Sequence, residues 1–286
     1  MTGAARRALG EFDTTRPNIA RINDYFLGGK DNFAADRRAA EELLAIAPEI
    51  RAIAAESRNF LGRAVRFLAA QGIRQYLDIG SGLPTLQNTH EVARSVLPDA
   101  RVVYVDNDPV VISHGRAVLA RDERTAVVEG DILHPQELID DREVRGVIDF
   151  DEPVAVLIFG ALHVIPNADD PYKSVATLRD ATAPGSHLAL SHLVFDIRPE
   201  VAGPIEDVYR TALHRPTANT ARNREDVLGF FDGFELVDPG LVWLRQWRPD
   251  HPLHARAAET VWKVGGVGRK PCNRARRARG AGIGSR

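Results

Sequence analysis

Residues 76–85 read YLDIGSGLPT. A short apolar strand runs into a glycine turn at Gly80 and Gly82, with an acid, Asp78, two places ahead of the first glycine. An open α/β sheet needs such a stop at the carboxyl end of a strand, where a nucleotide-like ligand approaches bare backbone. A dinucleotide fingerprint, G-x-G-x-x-G, asks for a third glycine where this chain has Thr85, with Pro84 before it. It also has no use for a carboxylate beside an anionic pyrophosphate. The acid suits a ligand with cationic groups, and the sulfonium and α-ammonium of S-adenosylmethionine answer that description. An NAD(P)-dependent oxidoreductase is the remote alternative, short of a glycine and burdened with Asp78.

Outward from this turn the chain alternates strands and helices. Strands are expected at Gln75–Ile79, Arg101–Asp106, Thr125–Glu129, Val154–Phe159 and His187–Leu193, at Phe234–Val237 running on towards Trp243, and at Thr260–Gly266. Helices are expected near Thr85–Leu97, Pro109–Arg121, Pro135–Asp140, Pro171–Ala183, Glu200–Leu213 and Arg224–Phe231. The runs at 102–105 and 154–159 are almost wholly apolar, as parallel strands buried on both faces are. The last two strands follow each other without a helix and should pair antiparallel at one edge. Ahead of the turn, residues 18–70 carry a helical period, interrupted by LGGKDN at 27–32 and by Pro48. The expectation is an α/β, Rossmann-like sheet of seven strands, the last antiparallel, flanked by helices and topped by an N-terminal helical cap. Its divisions are a disordered stretch 1–16, a cap or lid 17–70, a ligand-binding domain 71–268 and a basic tail 269–286.

At 286 residues, 44% apolar and 27% charged, the chain has the composition of a globular protein with a sizeable core. A lone cysteine, Cys272, rules out a disulfide framework and a multi-cysteine zinc site. No apolar run approaches a membrane span and MTGAARRALGEFD has no signal-peptide core, so a soluble, cytoplasmic protein without membrane association is expected. Seven basic residues and no acid follow from Arg269 onward, leaving 30 basic against 39 acidic residues in the body. An acidic body argues against a nucleic-acid partner despite the basic tail.

Ligands in such a sheet sit at the carboxyl ends of its strands, so the residues found there carry the chemistry. The second strand ends at Asp106, where a carboxylate can accept both hydroxyls of a ribose. The third ends in EGDI, placing Asp131 to accept from an adenine amino group. The fourth ends in IFGALHVIP, where Gly160 and Ala161 leave the floor open. Each of Asp106, Asp108 and Asp131 could instead cap the following helix, but an ordered series on three strand ends is poorly explained by capping alone.

The series DIGSG, VDND, GDI and ALHVIP resembles the class I S-adenosylmethionine-dependent methyltransferases. More narrowly, the chain is similar to the actinobacterial S-adenosyl methyltransferase family, once a domain of unknown function. That likeness rests on RPNIARINDYFLGGKDNFAADR at 16–37, QYLDIGSGLPTLQNTHEVA at 75–93, VVYVDNDPVV at 102–111, APGSHLALSH at 183–192 and ELVDPGLVWLRQWRPD at 235–250. The usual class I pattern has a third glycine where this chain has Pro84. The resemblance implies S-adenosylmethionine as cofactor, with Asp78, Gly80 and Gly82 along its methionine part. It implies Asp106 on the ribose with Asn107 beside the adenine, Asp131 and Ile132 on the adenine edge and face, and Gly160 under the sulfonium.

The expected activity is in-line methyl transfer to an oxygen, nitrogen or carbon of an unidentified small molecule, in a setting such as secondary metabolism. Positioning and exclusion of water supply much of such catalysis. A base serves an oxygen or nitrogen acceptor, and His163, just after the fourth strand, is the first candidate by location. His192 and Asp196 could also face the pocket, whereas His187 reads as structural. INDYFLGGKDNF is the expected lid: Tyr25, Phe26 and Phe33 offer aromatic surface to a substrate or sulfonium, Tyr25 as a further catalytic candidate. Lys30, Asn32, Arg58 and Asn59 are nearby polar candidates. Scattered histidines hold no ligand spacing, so no metal site is expected. A non-catalytic module that binds or senses S-adenosylmethionine or S-adenosylhomocysteine is the alternative from outside the enzymes.

Overall fold

The structure is a computed structural model describing residues 13–272 apart from 86, 120–121, 214–219 and 257. The expected tail beyond 272 and most of the stretch 1–16 lie outside the described residues.

Three helices come first: α1 (Ile19–Phe26), α2 (Ala34–Ile46) and α3 (Ile50–Ala70). Asn18 caps α1 by accepting the Ala20 N–H at 2.7 Å. LGGKDN forms the loop between α1 and α2, and Pro48 stands in the break before α3. The alternating part follows as β1 (Gln75–Ile79), α4 (Thr89–Val96), β2 (Arg101–Asp106), α5 (Pro109–Val118), β3 (Thr125–Glu129), α6 (Pro135–Asp140), α7 (Arg142–Val147), β4 (Val154–Phe159), α8 (Pro171–Ala181), β5 (His187–Leu193), α9 (Pro199–Leu213) and α10 (Arg224–Leu228). Two short strands and a longer one close the fold: β6 (Glu235–Leu236), β7 (Val242–Trp243) and β8 (Lys263–Arg269).

The sheet runs in the order β3-β2-β1-β4-β5-β8-β6, with β7 also paired to β8. The first five strands are parallel; β8 lies antiparallel to β5 and, on its other side, to β6 and β7. This is the expected α/β architecture with eight strands in place of seven. The stretch 234–243 divides in two because Pro239 lacks a backbone N–H and Gly240 takes a φ of 87°. The final strand begins three residues later than expected.

Alternation along the strands feeds two cores. Tyr76, Val102, Tyr104, Ala155, Leu157 and Ala189 pack under Phe60, Leu61, Ala64 and Leu68 of α3 and Val92 of α4. Leu77, Val103, Val105, Val156, Ile158 and Leu190 meet Leu138, Val144, Val175, Leu178 and Val227 from α6, α7, α8 and α10 on the other face. At Gly265 of β8 an added Cβ would stand 2.7 Å from both Phe60 and Leu244, so glycine lets α3 lie directly on that strand. Arg63 of α3 ties the same region together, donating to the carbonyls of Trp247 (3.0 Å) and Leu244 (2.7 Å) and to Glu56 (2.8 Å). Strand order reverses at β1, between β2 and β4, and the crevice opens above the carboxyl ends of these three strands.

Candidate active site

A cavity of ≈ 340 Å³ occupies that crevice. Gly80, Gly82, Asp106, Asn107, Asp131, Ile132, Gly160 and His163 all line it. Its roof is α1, through Ile19, Ile22, Asn23 and Phe26, and Tyr209 of α9 closes one side.

The glycine turn is folded back on β2. Gly80 and Ser81 donate their N–H groups to the Val105 carbonyl at 2.8 and 3.1 Å. Gly82 donates to Asp106 Oδ2 at 2.9 Å, and Asp108 donates to Oδ1 at 3.0 Å. Gly80 adopts a φ of 69°, and a Cβ there would stand 2.6 Å from the Ala161 Cβ, so the turn admits only glycine. Asp106 is thus a strap across the turn while keeping lone pairs towards the cavity, and burial pushes its carboxyl up to about 6. Of the acids that could have been caps, Asp108 is one: it accepts from Val110 and Val111 at the start of α5. Asp131 instead links two loops, accepting from Leu133 N–H (2.9 Å) and Asn107 Nδ2 (3.1 Å).

Asp78 and Tyr25 depart from the placement expected of them. Asp78 is buried below the turn, accepts from Thr89 Oγ1 at 2.6 Å, and so fastens the start of α4 to β1. Burial raises its carboxyl to about 6, against the lowering pull of that hydrogen bond and of Arg58. Tyr25 turns outward from α1, its hydroxyl on Glu41 and the Arg51 guanidinium 5.0 Å from its ring centroid. Neither lines the cavity: α1 presents Ile22, Asn23 and Phe26 there in place of Tyr25, and the Asp78 carboxyl on β1 is taken up by Thr89 of α4. Phe33 packs with Leu83, Val110 and Val111, docking the cap. Asn32 donates to Asp24 at 2.8 Å and Arg58 to the Gln87 carbonyl at 3.2 Å.

His163 sits on a short helical turn after β4 with its Nδ1 enclosed and without a hydrogen-bond partner. Burial first, then Lys263, His192 and Arg222, hold its pKa well below the ordinary imidazole value. His192 lies buried behind it. Burial, with Arg222 and Lys263 adding to it, brings that imidazole down to about 3, against the raising effect of the Leu193 carbonyl. Asp196 accepts the Arg224 N–H at 3.1 Å and lies off the cavity.

Four residues in or behind the cavity are not singled out by the sequence reading. Asn23 and Tyr209 project from helices whose orientation no local pattern encodes. Arg222 is 1% exposed and donates to the carbonyls of Leu162 and Ile165, both at 2.9 Å, and to Asn167. It thereby holds the loop that carries His163. Lys263, a charged residue inside the apolar run TVWKVGGVG, was the one visible signal.

A family model described as S-adenosyl methyltransferase matches residues 5–271. The chain belongs to the S-adenosyl methyltransferase family. Among solved structures, a presumed methyltransferase from Thermobifida fusca YX is 44% identical, covers 91% of this chain and 97% of its own, and superposes with a TM-score of 0.84. A DUF574-family protein from Streptomyces avermitilis MA-4680 is 38% identical, with coverage of 91% and 99% and the same TM-score of 0.84. The plantazolicin methyltransferase BamL, solved with a triazolic desmethylPZN analog and SAH, shares 9% identity over 88% of this chain and 96% of that one at a TM-score of 0.52, a likeness of fold alone. No curated protein matches the sequence.

The chain is therefore an S-adenosylmethionine-dependent methyltransferase, and the NAD(P) alternative falls away. The cavity fits the cofactor: bare glycine backbone, two carboxylates at successive strand ends, and a floor at Gly160, where a Cβ would come 3.1 Å from His163 Cε1. Among the described residues no helix is long and apolar enough to cross a membrane.

Proposed function

We propose that this methyltransferase acts on a small molecule, delivering the methyl group in line to an oxygen, nitrogen or carbon atom beside Gly160. The observation that carries this reading is a second, smaller recess sharing Asn23, Phe26, His163 and Tyr209 with the main cavity. An acceptor seated there would lie under α1, next to where the cofactor's reactive end belongs.

In this reading Asp106 accepts the ribose hydroxyls, Asn107, Asp131 and Ile132 surround the adenine, and the Gly80–Gly82 backbone follows the methionine part, with Asp78 bracing the turn from below. Bound there, S-adenosylmethionine supplies a methyl group on a sulfonium, an electrophile needing no further activation. His163, which lines both cavities, is the base in this reading for an acceptor that still carries its proton, and the burial and cationic neighbours that hold its pKa low make it a weak one. No part in transfer is assigned to Tyr25. Residues 17–70 act as cap, 71–268 as the methyltransferase domain and 269–286 as a basic extension. The setting is cytoplasmic and tied to secondary metabolism, with no nucleic-acid partner.

The test is turnover. Methyl-labelled S-adenosylmethionine and a panel of small hydroxylated, carboxylated and amino compounds should yield a labelled product and S-adenosylhomocysteine in equal amounts. Cofactor binding with no transfer to any class would favour the sensing module instead.

A further inference from the structure

Lys263 opens β8 opposite Leu193 and is 5% exposed. Its Nζ would stand 3.1 Å from a Cβ on Gly160, which places the ammonium at the floor where the two cavities meet. It lines the smaller recess with His163 and Tyr209. The other walls are largely aliphatic, Ile50, Ile53, Leu193 and Ile205 among them.

A buried ammonium is costly unless an anion compensates it. The other buried cations of the core have partners: Arg21 has Asp36, Arg63 has Glu56, and Arg222 has backbone and amide oxygens. Lys263 differs. Among the described residues no carboxylate forms an ion pair with it, and burial alone lowers its pKa to about 8. The titratable groups gathered around this floor are His163 from the loop after β4, His192 from β5, Tyr209 from α9 and Arg222, none of them acidic at neutral pH. Burial raises the Tyr209 phenol to about 12, which keeps it a hydrogen-bond donor. The enclosed Nδ1 of His163 likewise has no partner within the protein. An ammonium, a phenol and an imidazole therefore converge on a recess whose own residues offer them no anion.

We propose that this recess is the acceptor subsite and selects an oxyanion, a carboxylate or an ionised hydroxyl, on a small apolar body, with Lys263 as its counter-ion. The proposal rests on reading the larger cavity as the cofactor site. It narrows the acceptor to molecules that carry an oxyanion and explains why a lysine interrupts an otherwise apolar, glycine-rich strand.

The experiment is calorimetric titration at neutral pH with benzoate and 4-nitrophenolate, each with and without saturating S-adenosylhomocysteine. Benzamide and 4-nitroanisole serve as neutral matches. At least one anion should bind ~10-fold or more tightly than its neutral match, and which one does so separates carboxylate from phenolate. Lys263→Met should lose that binding while keeping affinity for S-adenosylhomocysteine within about twofold. Lys263→Gln, with thermal unfolding of both variants, guards against a folding defect. Bound 4-nitrophenol should also shift towards its yellow phenolate, a change a merely structural lysine would not cause. Equal binding of anions and neutral matches, no anion binding, or unchanged anion binding by Lys263→Met overturns the proposal. Failure to bind S-adenosylhomocysteine would instead count against the cofactor site itself.

Discussion

Asp106 carries two duties that pull on one carboxylate. It straps the glycine turn through Gly82 and Asp108 N–H groups, and in the proposed complex it accepts ribose hydroxyls. Only the ionised form serves both fully, yet burial raises its pKa to about 6. S-adenosylhomocysteine affinity should therefore rise as pH climbs through about 6 and level off above it, and Asp106→Asn should flatten that profile. Asp78 titrates in the same range but lies outside the cavity lining, so Asp78→Asn should leave the profile in place. Stability runs the other way. Both carboxyls keep their protons to about pH 6 in the folded chain, against about 3.9 for an ordinary aspartate. Their contribution is thus present below about pH 4 and lost as pH rises through 6. Binding isotherms and denaturant melts across pH 4–8 read the two effects separately.

At the scale of elements, the roof matters most. Helix α1 is held over the cavity by Arg21, 3% exposed, at 3.3 Å from Asp36 and 4.0 Å from Asp108 at the start of α5. Asp36 in turn accepts the N–H groups of Asn18 (2.9 Å) and Phe33 (2.8 Å), tying the starts of α1 and α2 to one carboxylate. Breaking such a buried pair from one side costs about 3–5 kcal/mol. Arg21→Met should speed amide exchange across 17–33 while β1, β2 and β4 stay protected, and should weaken S-adenosylhomocysteine binding. Uniform exchange throughout the chain would show that the cap has no separate attachment. The strands were legible because their signal is local: Val154–Phe159 and Arg101–Asp106 are apolar runs closed by Gly160 and by an acid. The roof was legible only as aromatic surface. Which face of α1 turns inward depends on the Arg21–Asp36–Asp108 arrangement, and that joins residues 87 positions apart, beyond any helical period.

At the scale of the whole molecule, the site is completed by the end of the chain. Asn23 comes from the first helix, His163 from the middle and Lys263 from a strand that enters the sheet last, between β5 and β6. The strand-end residues that line the crevice were legible in the sequence because they follow from strand boundaries. Of the proposed acceptor half, Phe26 and His163 were legible, whereas Tyr209 and Lys263 join them only once α9 and β8 are packed in place. The account's central claim is that the crevice above β1, β2 and β4 binds the cofactor through Asp106. Calorimetric titration of the wild type and Asp106→Ala with S-adenosylhomocysteine tests it most directly. One site of micromolar affinity in the wild type, weakened by roughly 1–3 kcal/mol in the variant, is the expected result. No binding by folded wild-type protein, or equal binding by both, would contradict it.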